Sequence, residues 1–470
     1  MNFGSLLFIF GFLPVVILIN LVMQEKYRKY WLLLTSIVFF AWAQPYYLDI
    51  LAAVGILDYV SGLLIEKVPE KLKKPVMILA VLASTAILFK YKYFNFVSGM
   101  ISKLIGREAV VLTSIMPIGV SFFTFKSISY IADVYTKKIQ AERNPIFVFT
   151  YLFMFPSIMS GPIDRYGDIS VSLKSQVTTV DDVVRGIERF TYGLAEKAVI
   201  ANTLGLMVDQ IWASGAGSNS AAVAWLGSIA YSLQLYFDFA GYSHMAIGIG
   251  KMMGLHLAEN FDLPYISKSI AEFWRRWHMT LGSWFRNYIY IPLGGNRSHV
   301  YLNTAVVFLA TGLWHGAGWS FILWGLYHGF FVIAERMKRS ILKKTGRRSR
   351  SIPVLSHLYV LLAVNFGWVL FRAPVLKDAL SYFGSMFGQI SGQPAGLSLA
   401  FYLNPWNAFV LITAILLASG LPQKGVQMLE SRVDENIYTT LKHILCLLLL
   451  LFSVMRLIMS TYSSFIYFQF

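Results

Sequence analysis

The sequence contains a single cysteine, Cys446, set in the run LCLLLLLF. It can form neither an internal disulfide nor a cysteine metal cluster, and it reads as a packing or lipid-facing residue. Charge is also scarce. Asp, Glu, Lys and Arg make up 14% of the 470 residues, hydrophobic residues 56%, and the mean hydropathy is +0.59. That excludes an ordinary soluble domain, which carries about 25% charged and about 45–50% apolar residues. Walker A, a helix-opening GxGxxG, GxSxG and HExxH are all missing, and with them the common soluble-enzyme signatures. Histidine pairs at i, i+4 or HxxH spacing are absent too, so no metal site is legible and a di-iron or haem protein is disfavoured. There is no internal repeat, low-complexity tract or long linker.

What the chain has instead is long apolar runs, at 3–23, 30–44, 46–65, 75–90, 113–134, 146–160, 192–212, 222–250, 301–316, 318–335, 354–372, 401–420 and 439–461. A helix needs about 20 mostly apolar residues to cross a hydrocarbon core of about 30 Å. Several runs are shorter or longer than that, so the expectation is about ten to twelve crossings plus re-entrant or interfacial helices. The fold class is all-α, a polytopic membrane bundle forming a single membrane-embedded domain over 1–470. The first run lacks a basic leader and a small-residue cleavage site, so it is not read as a signal peptide.

The net charge of +16 is concentrated in loops such as QEKYRKY at 24–30, EKVPEKLKK at 66–74 and ERMKRSILKKTGRRSR at 335–350. Basic loops between membrane helices stay in the cytoplasm, which puts the N-terminus outside. Their expected partner is the anionic lipid bilayer, and no nucleic-acid function is implied.

The middle of the chain, about 115–335, differs in carrying polar and aromatic residues inside its apolar segments. In NFDLPYISKSIAEFWRRWHMTLGSWFRNYIYIPLGGNR, 260–297, Ser267 or Ser269 caps a helix starting near Ile270, with Glu272 in its first turn. Trp274, His278 and Leu281 follow at i, i+4 and i+7, while Arg275, Arg276 and Arg286 add positive charge. Alone, this stretch fits a helix lying at the interface, its arginines on headgroups. Its tryptophan density argues for more: Trp274, Trp277, Trp284, Trp314, Trp319 and Trp324 are six of the chain's twelve.

In FLATGLWHGAGWSFILWGLYHGFFVIAER, 308–336, Gly312, Gly316 and Gly318 surround His315. Glycine lets a membrane helix break or another backbone approach. Backbone freed at membrane depth is tolerated only where protein or a cavity satisfies it, so a cavity beside His315 is expected. His328, in LYHGFF, reads as a packing residue. In QLYFDFAGYSHMAIGIGKMMG, 234–254, Asp238 sits in an apolar run, where an ionisable group marks either a site or a partner on another helix. Up to this point, catalysis and packing both remain open for His315.

These stretches resemble the membrane-bound O-acyltransferase family, in particular its alginate O-acetyltransferase branch. The resemblance rests on EFWRRWHMTLGSWFRNYIYIPLGGNR at 272–297, TGLWHGAGWSFILWGLYHG at 311–329 and YFDFAGYSHMAIGIG at 236–250. MPIGVSFFTFKSISYIADVY at 116–135, MSGPIDRY at 159–166 and the terminal FIYFQF add to it. It implies a helical bundle around a central funnel or tunnel, with His315 the catalytic histidine near the narrow point. His278 takes the family's other characteristic polar position, often Asn or His. One departure is GYSH, where relatives usually read GYSD, so His244 replaces an acid and any role of that acid is in doubt.

The implied reaction moves an acyl group, acetyl in this branch, from acetyl-CoA or another thioester in the cytoplasm towards an extracytoplasmic glycan. A partner acyltransferase outside the membrane completes the transfer. An imidazole of pKa about 6.5 accepts the hydroxyl proton near neutral pH, and burial keeps it neutral beforehand. The oxyanion takes its donors from His278, from tryptophan N–H groups or from free backbone N–H groups. Asp238, Trp274, Arg275, Arg276, Trp277 and Trp314 are the candidate substrate contacts, the arginines facing an anionic donor or headgroups. No tightly bound cofactor and no metal are expected, and the location is the bacterial plasma membrane. Alginate, cellulose and peptidoglycan are possible acceptors, with D-alanyl transfer to teichoic acid a less similar branch. The competing reading is a transporter or flippase using Asp238, His278 and His315 without acyl chemistry.

Overall fold

The computed structural model describes residues 2–346, 352–391, 397–460 and 462. The end of the basic loop at 335–350, part of 388–398 and the terminal FIYFQF lie outside the described residues. Among the described residues every regular element is helical, as the apolar runs require where backbone groups have no water to bond.

Four helices are long and apolar enough to cross a bilayer: Pro45–Lys67, Glu70–Ile105, Pro353–Arg372 and Glu435–Met459. Pro405–Ala418 and Leu421–Glu430, bent by 68°, make a fifth if counted together. The sequence shows more runs than this because chain breaks cut several of them. Run 146–160 divides between Pro145–Phe153 and Phe155–Ile158, and 113–134 becomes helical only from Val120. Val300–His315 is apolar but short. On Glu435–Met459 the side chains of Leu441, Ile444, Leu445, Leu448 and Leu451 are exposed, the pattern of a surface that faces lipid.

The chain divides into two compact units, Met1–Thr191 with Tyr242–Glu259, and Tyr192–Gly241 with Asn260–Phe470. In the first, buried polar side chains are paired across helices, as an apolar interior demands. Ser127 Oγ donates to Asp58 at 2.7 Å and lies 2.7 Å from Ser84 Oγ, while Lys126 Nζ donates to Ser157 Oγ at 2.6 Å. Asp164, from the MSGPIDRY stretch, accepts the Ala258 N–H at 2.9 Å. His244 belongs to this unit.

The second unit carries six helices of interest: α1 (Ala221–Met252, of which 221–241 belong to this unit), α2 (Ile270–Arg276), α3 (Met279–Phe285), α4 (Val300–His315), α5 (Trp319–Lys344) and α6 (Pro353–Arg372). Of the two serines considered, Ser269 caps α2, its Oγ accepting the Glu272 N–H at 3.1 Å. The next two orphan donors, Ile270 N–H and Ala271 N–H, are taken at 2.6 and 3.1 Å by the carboxylate of Glu335 on α5. That is the anionic group a helix N-terminus favours, and it ties α2 to α5.

α4 and α5 form a hairpin broken where the glycines foretold, between His315 and Trp319. Close backbone approach, the other use of glycine considered, occurs at Gly312 and also at Gly325. A Cβ on Gly312 would lie 2.4 Å from the Phe321 carbonyl oxygen, and one on Gly325 would lie 2.3 Å from that of Phe308. Only hydrogen fits at these positions, so the two backbones pack at close range. His315 is thereby fixed as the last residue of α4.

Candidate active site

His315 and His278 both line one cavity of about 200 Å3 in the second unit, together with Trp274, Arg275, Trp277, Phe308 and Thr311. The two imidazoles come from different elements, one from the end of α4 and the other from the junction of α2 and α3. Each is almost fully buried, at 3% and 2% exposure. A larger cavity, of about 450 Å3, is lined by Asp209, Trp212, Arg372 and Asp378. It has no imidazole among its lining residues, and its charge is largely taken up in an Arg372–Asp209 ion pair at 2.5 Å.

The His315 ring is held by aromatic edges. Trp324 and Phe371 meet it at centroid distances of 5.0 and 5.1 Å, near-perpendicular in both cases, the edge-to-face geometry that ring quadrupoles favour. Trp314 bridges the pair, its ring 4.8 Å from that of His315 and 6.0 Å from that of His278. It is buried beside both, although it is not among the residues lining the cavity.

The structure corrects the expectation of one amphipathic helix through Trp274, His278 and Leu281. α2 stops at Arg276, and His278 adopts φ 45° and ψ 56°, in the left-handed region, before α3 begins at Met279. That conformation is costly for a residue other than glycine, and a neighbouring segment imposes it. Asn260 carbonyl oxygen accepts the Met279 N–H at 2.9 Å, and the Asp262 N–H donates to the Arg276 carbonyl at 3.0 Å. The Asn260 side chain grips the same turn: its Oδ1 lies 2.9 Å from His278 Nδ1 and 3.0 Å from Thr280 Oγ1, and takes the Thr280 N–H at 3.4 Å. Nothing in local spacing singles out Asn260, which reaches His278 across 18 residues.

His278 lies outside the helices that qualify as membrane spans. Burial pushes its pKa down to about 3, because an imidazolium loses its hydration there, so the ring is neutral. Its Nε2 is buried without a hydrogen-bond partner among the described residues, and the same holds for Trp274 Nε1. An unmet buried polar atom costs about 1–3 kcal/mol. Two such atoms, on residues that line one cavity, mark capacity that a ligand can fill.

The other sequence candidates divide. Arg275 and Trp277 line the cavity. Arg276 does not: it clamps the turn, its Nη1 donating to Asp262 at 2.7 Å and its Nε to Glu272 at 3.1 Å. Asp238 is also elsewhere, paired at 2.5 Å with Lys197, a partner on another helical segment and none of the arginines. His328 is fully buried against Trp274 and Trp324, with ring centroids 4.9 and 5.2 Å away. Among the described residues no group of three His, Cys, Asp or Glu is placed to hold a metal ion.

Comparison with known proteins bears on this arrangement. The membrane-bound O-acyltransferase family pattern matches residues 77–372. A probable alginate O-acetylase, AlgI, of Pseudomonas putida is 36% identical over 492 residues, 100% of both chains. The peptidoglycan O-acetyltransferase of Helicobacter pylori is 33% identical over 516 residues, 100% of this chain and 97% of the relative. The teichoic acid D-alanyltransferase of Bacillus subtilis is 33% identical over 239 residues, 46% of this chain and 58% of the relative.

Proposed function

This chain belongs to the membrane-bound O-acyltransferase family, and from that premise we propose that it moves an acetyl group from a cytoplasmic thioester to a cell-envelope glycan. It acts in the bacterial plasma membrane, with acetyl-CoA or another thioester as cosubstrate. An extracytoplasmic acyltransferase is its partner in the last transfer. The class of reaction, acyl transfer by a multi-pass membrane enzyme, follows from the family. The acetyl group and the glycan are carried over from relatives whose names specify alginate and peptidoglycan and which align along the whole chain. The D-alanyl relative aligns over less than half of it.

The observation that carries the mechanism is the meeting of His315 and His278 on one cavity with Trp274 and Arg275. His315 takes the proton of the attacking hydroxyl as its oxygen bonds to the thioester carbonyl carbon. The tetrahedral oxyanion draws a hydrogen bond from Trp274 Nε1–H, a donor of the lining left unmet among the described residues. Collapse breaks the C–S bond, and the proton held on His315 passes to the departing thiolate. Arg275 offers a positive charge to the anionic part of the donor.

Transport without acyl chemistry loses one of its three relay groups, because Asp238 is neutralised by Lys197. The deciding experiment supplies purified protein in proteoliposomes with labelled acetyl-CoA and an oligosaccharide acceptor. Transfer that depends on His315 supports the reading; thioester left intact under these conditions, with substrate moved across the bilayer, overturns it.

A further inference from the structure

The pairing of Asn260 with His278 fixes which nitrogen of that imidazole carries its proton. A backbone N–H can only donate, and the Thr280 N–H points at Oδ1 of Asn260 at 3.4 Å, as does the Thr280 hydroxyl at 3.0 Å. The atom they share is therefore the amide oxygen and not its nitrogen, which also decides the amide orientation on chemical grounds. An acceptor 2.9 Å from Nδ1 requires Nδ1 to be the protonated nitrogen. A neutral imidazole carries one proton, so Nε2 is left with a lone pair.

We propose that Asn260 is a positioning residue: it holds His278 in the Nδ1–H form, so that Nε2 offers the acceptor glycan a lone pair, taken by a hydroxyl other than the one whose proton passes to His315. His278 is then an acceptor and cannot donate to the oxyanion, which leaves that role to Trp274. The inference rests on the acyltransferase reading for its consequence, but the tautomer itself does not.

Three observations converge on it. Asn260 holds three consecutive residues, through its own carbonyl to Met279 and its side chain to His278 and Thr280, far more than a loop asparagine needs to satisfy itself. The grip keeps His278 at φ 45°, a strained conformation that places the ring on the cavity. Finally, Nε2 is buried and unmet among the described residues, the state of a basic nitrogen awaiting a donor. The ring's remaining surroundings are apolar: Phe239 meets it edge-on at 4.6 Å and Trp314 lies at 6.0 Å. The charged or titratable groups sharing its cavity are Arg275 and His315. Asp262 and Glu272 are engaged by Arg276, and Asp238, next to Phe239, by Lys197.

The test uses the full chain in nanodiscs with 15N-labelled histidine, and His278→Gln identifies the His278 signals. Expected are a protonated Nδ1 and an unprotonated Nε2 at neutral pH. In Asn260→Asp the carboxylate favours the imidazolium and raises the titration midpoint by about one pH unit or more. A protonated Nε2, or an Asn260→Asp titration that superimposes on the wild type, overturns the proposal whatever the activity. In the transfer assay Asn260→Leu is expected to lose at least about tenfold in turnover. Asn260→Asp, which keeps an acceptor at Nδ1, should retain turnover at neutral pH. A fully active Asn260→Leu overturns the functional half. A wild type with the expected tautomer but no acyl transfer counts against the acyltransferase reading instead.

Discussion

Lys197 Nζ lies 2.5 Å from Asp238 Oδ1, both side chains at most 2% exposed. The pair answers the question an aspartate in an apolar run poses. Two opposite charges brought together avoid the larger cost of either one buried alone.

Asp238→Asn is therefore expected to strand the Lys197 charge and destabilise the protein by about 3–5 kcal/mol. A lower thermal midpoint in detergent and a lower membrane yield would report it. The double variant Lys197→Met with Asp238→Leu should recover most of both. A stable double variant with no acyl transfer would return Asp238 to the list of site residues.

For His315→Ala, acyl transfer should fall at least about 100-fold, the lower range for loss of a positioned base. Acetate on the exported polymer and protein level in membranes are measured together. Full acetylation by a normally inserted variant would end the assignment of His315. His278→Ala is expected to give a partial loss.

Trp274→Phe keeps a ring of similar shape against Phe308 and His328 and removes only the N–H. Turnover should drop about 100-fold with little change in KM if that donor serves the oxyanion. Wild-type turnover would assign Trp274 to packing alone.

Gly325→Ala sets a Cβ 2.3 Å from the Phe308 carbonyl oxygen. α4 and α5 must separate, at about 1–3 kcal/mol, and His315 at the end of α4 moves with them. Loss of both thermal stability and activity is expected. Gly425→Ala, with open space around it and inside the helix Leu421–Glu430, is the control that should lower neither.

The pH dependence of stability follows from His278, whose pKa burial pushes down to about 3 from an unfolded value of about 6.5. Above the unfolded value both states are neutral and stability is at its full level. As pH falls from about 6.5 towards 3, the unfolded chain binds a proton that the folded chain refuses, so stability is lost across that window. Thermal midpoints recorded between pH 7 and pH 4 should fall less steeply for His278→Gln than for the wild type. Parallel slopes would show that His278 is not held neutral.

Much of this protein was legible in its residues. The long apolar runs dictate helices, because water-free surroundings force every backbone bond to be local. Ser267 or Ser269 ahead of Glu272 foretold the start of α2, where Ser269 is the cap, and the glycines around His315 the break between α4 and α5. The family motifs in the middle of the chain brought out His315 and His278.

The tertiary structure decided the rest, because those contacts join residues far apart in the chain, where periodicity carries no information. An i, i+4, i+7 pattern promised one helix through His278, but Asn260, 18 residues earlier, bonds across the turn and breaks it. Asp238 was equally a site or half of a pair until Lys197, 41 residues away, met it. The glycines around His315 promised a helix break or a close backbone approach, with a cavity beside the imidazole. Only the packed helices revealed that the close approach is to the Phe321 and Phe308 backbones, and that the cavity lies beside them at two imidazoles from different elements.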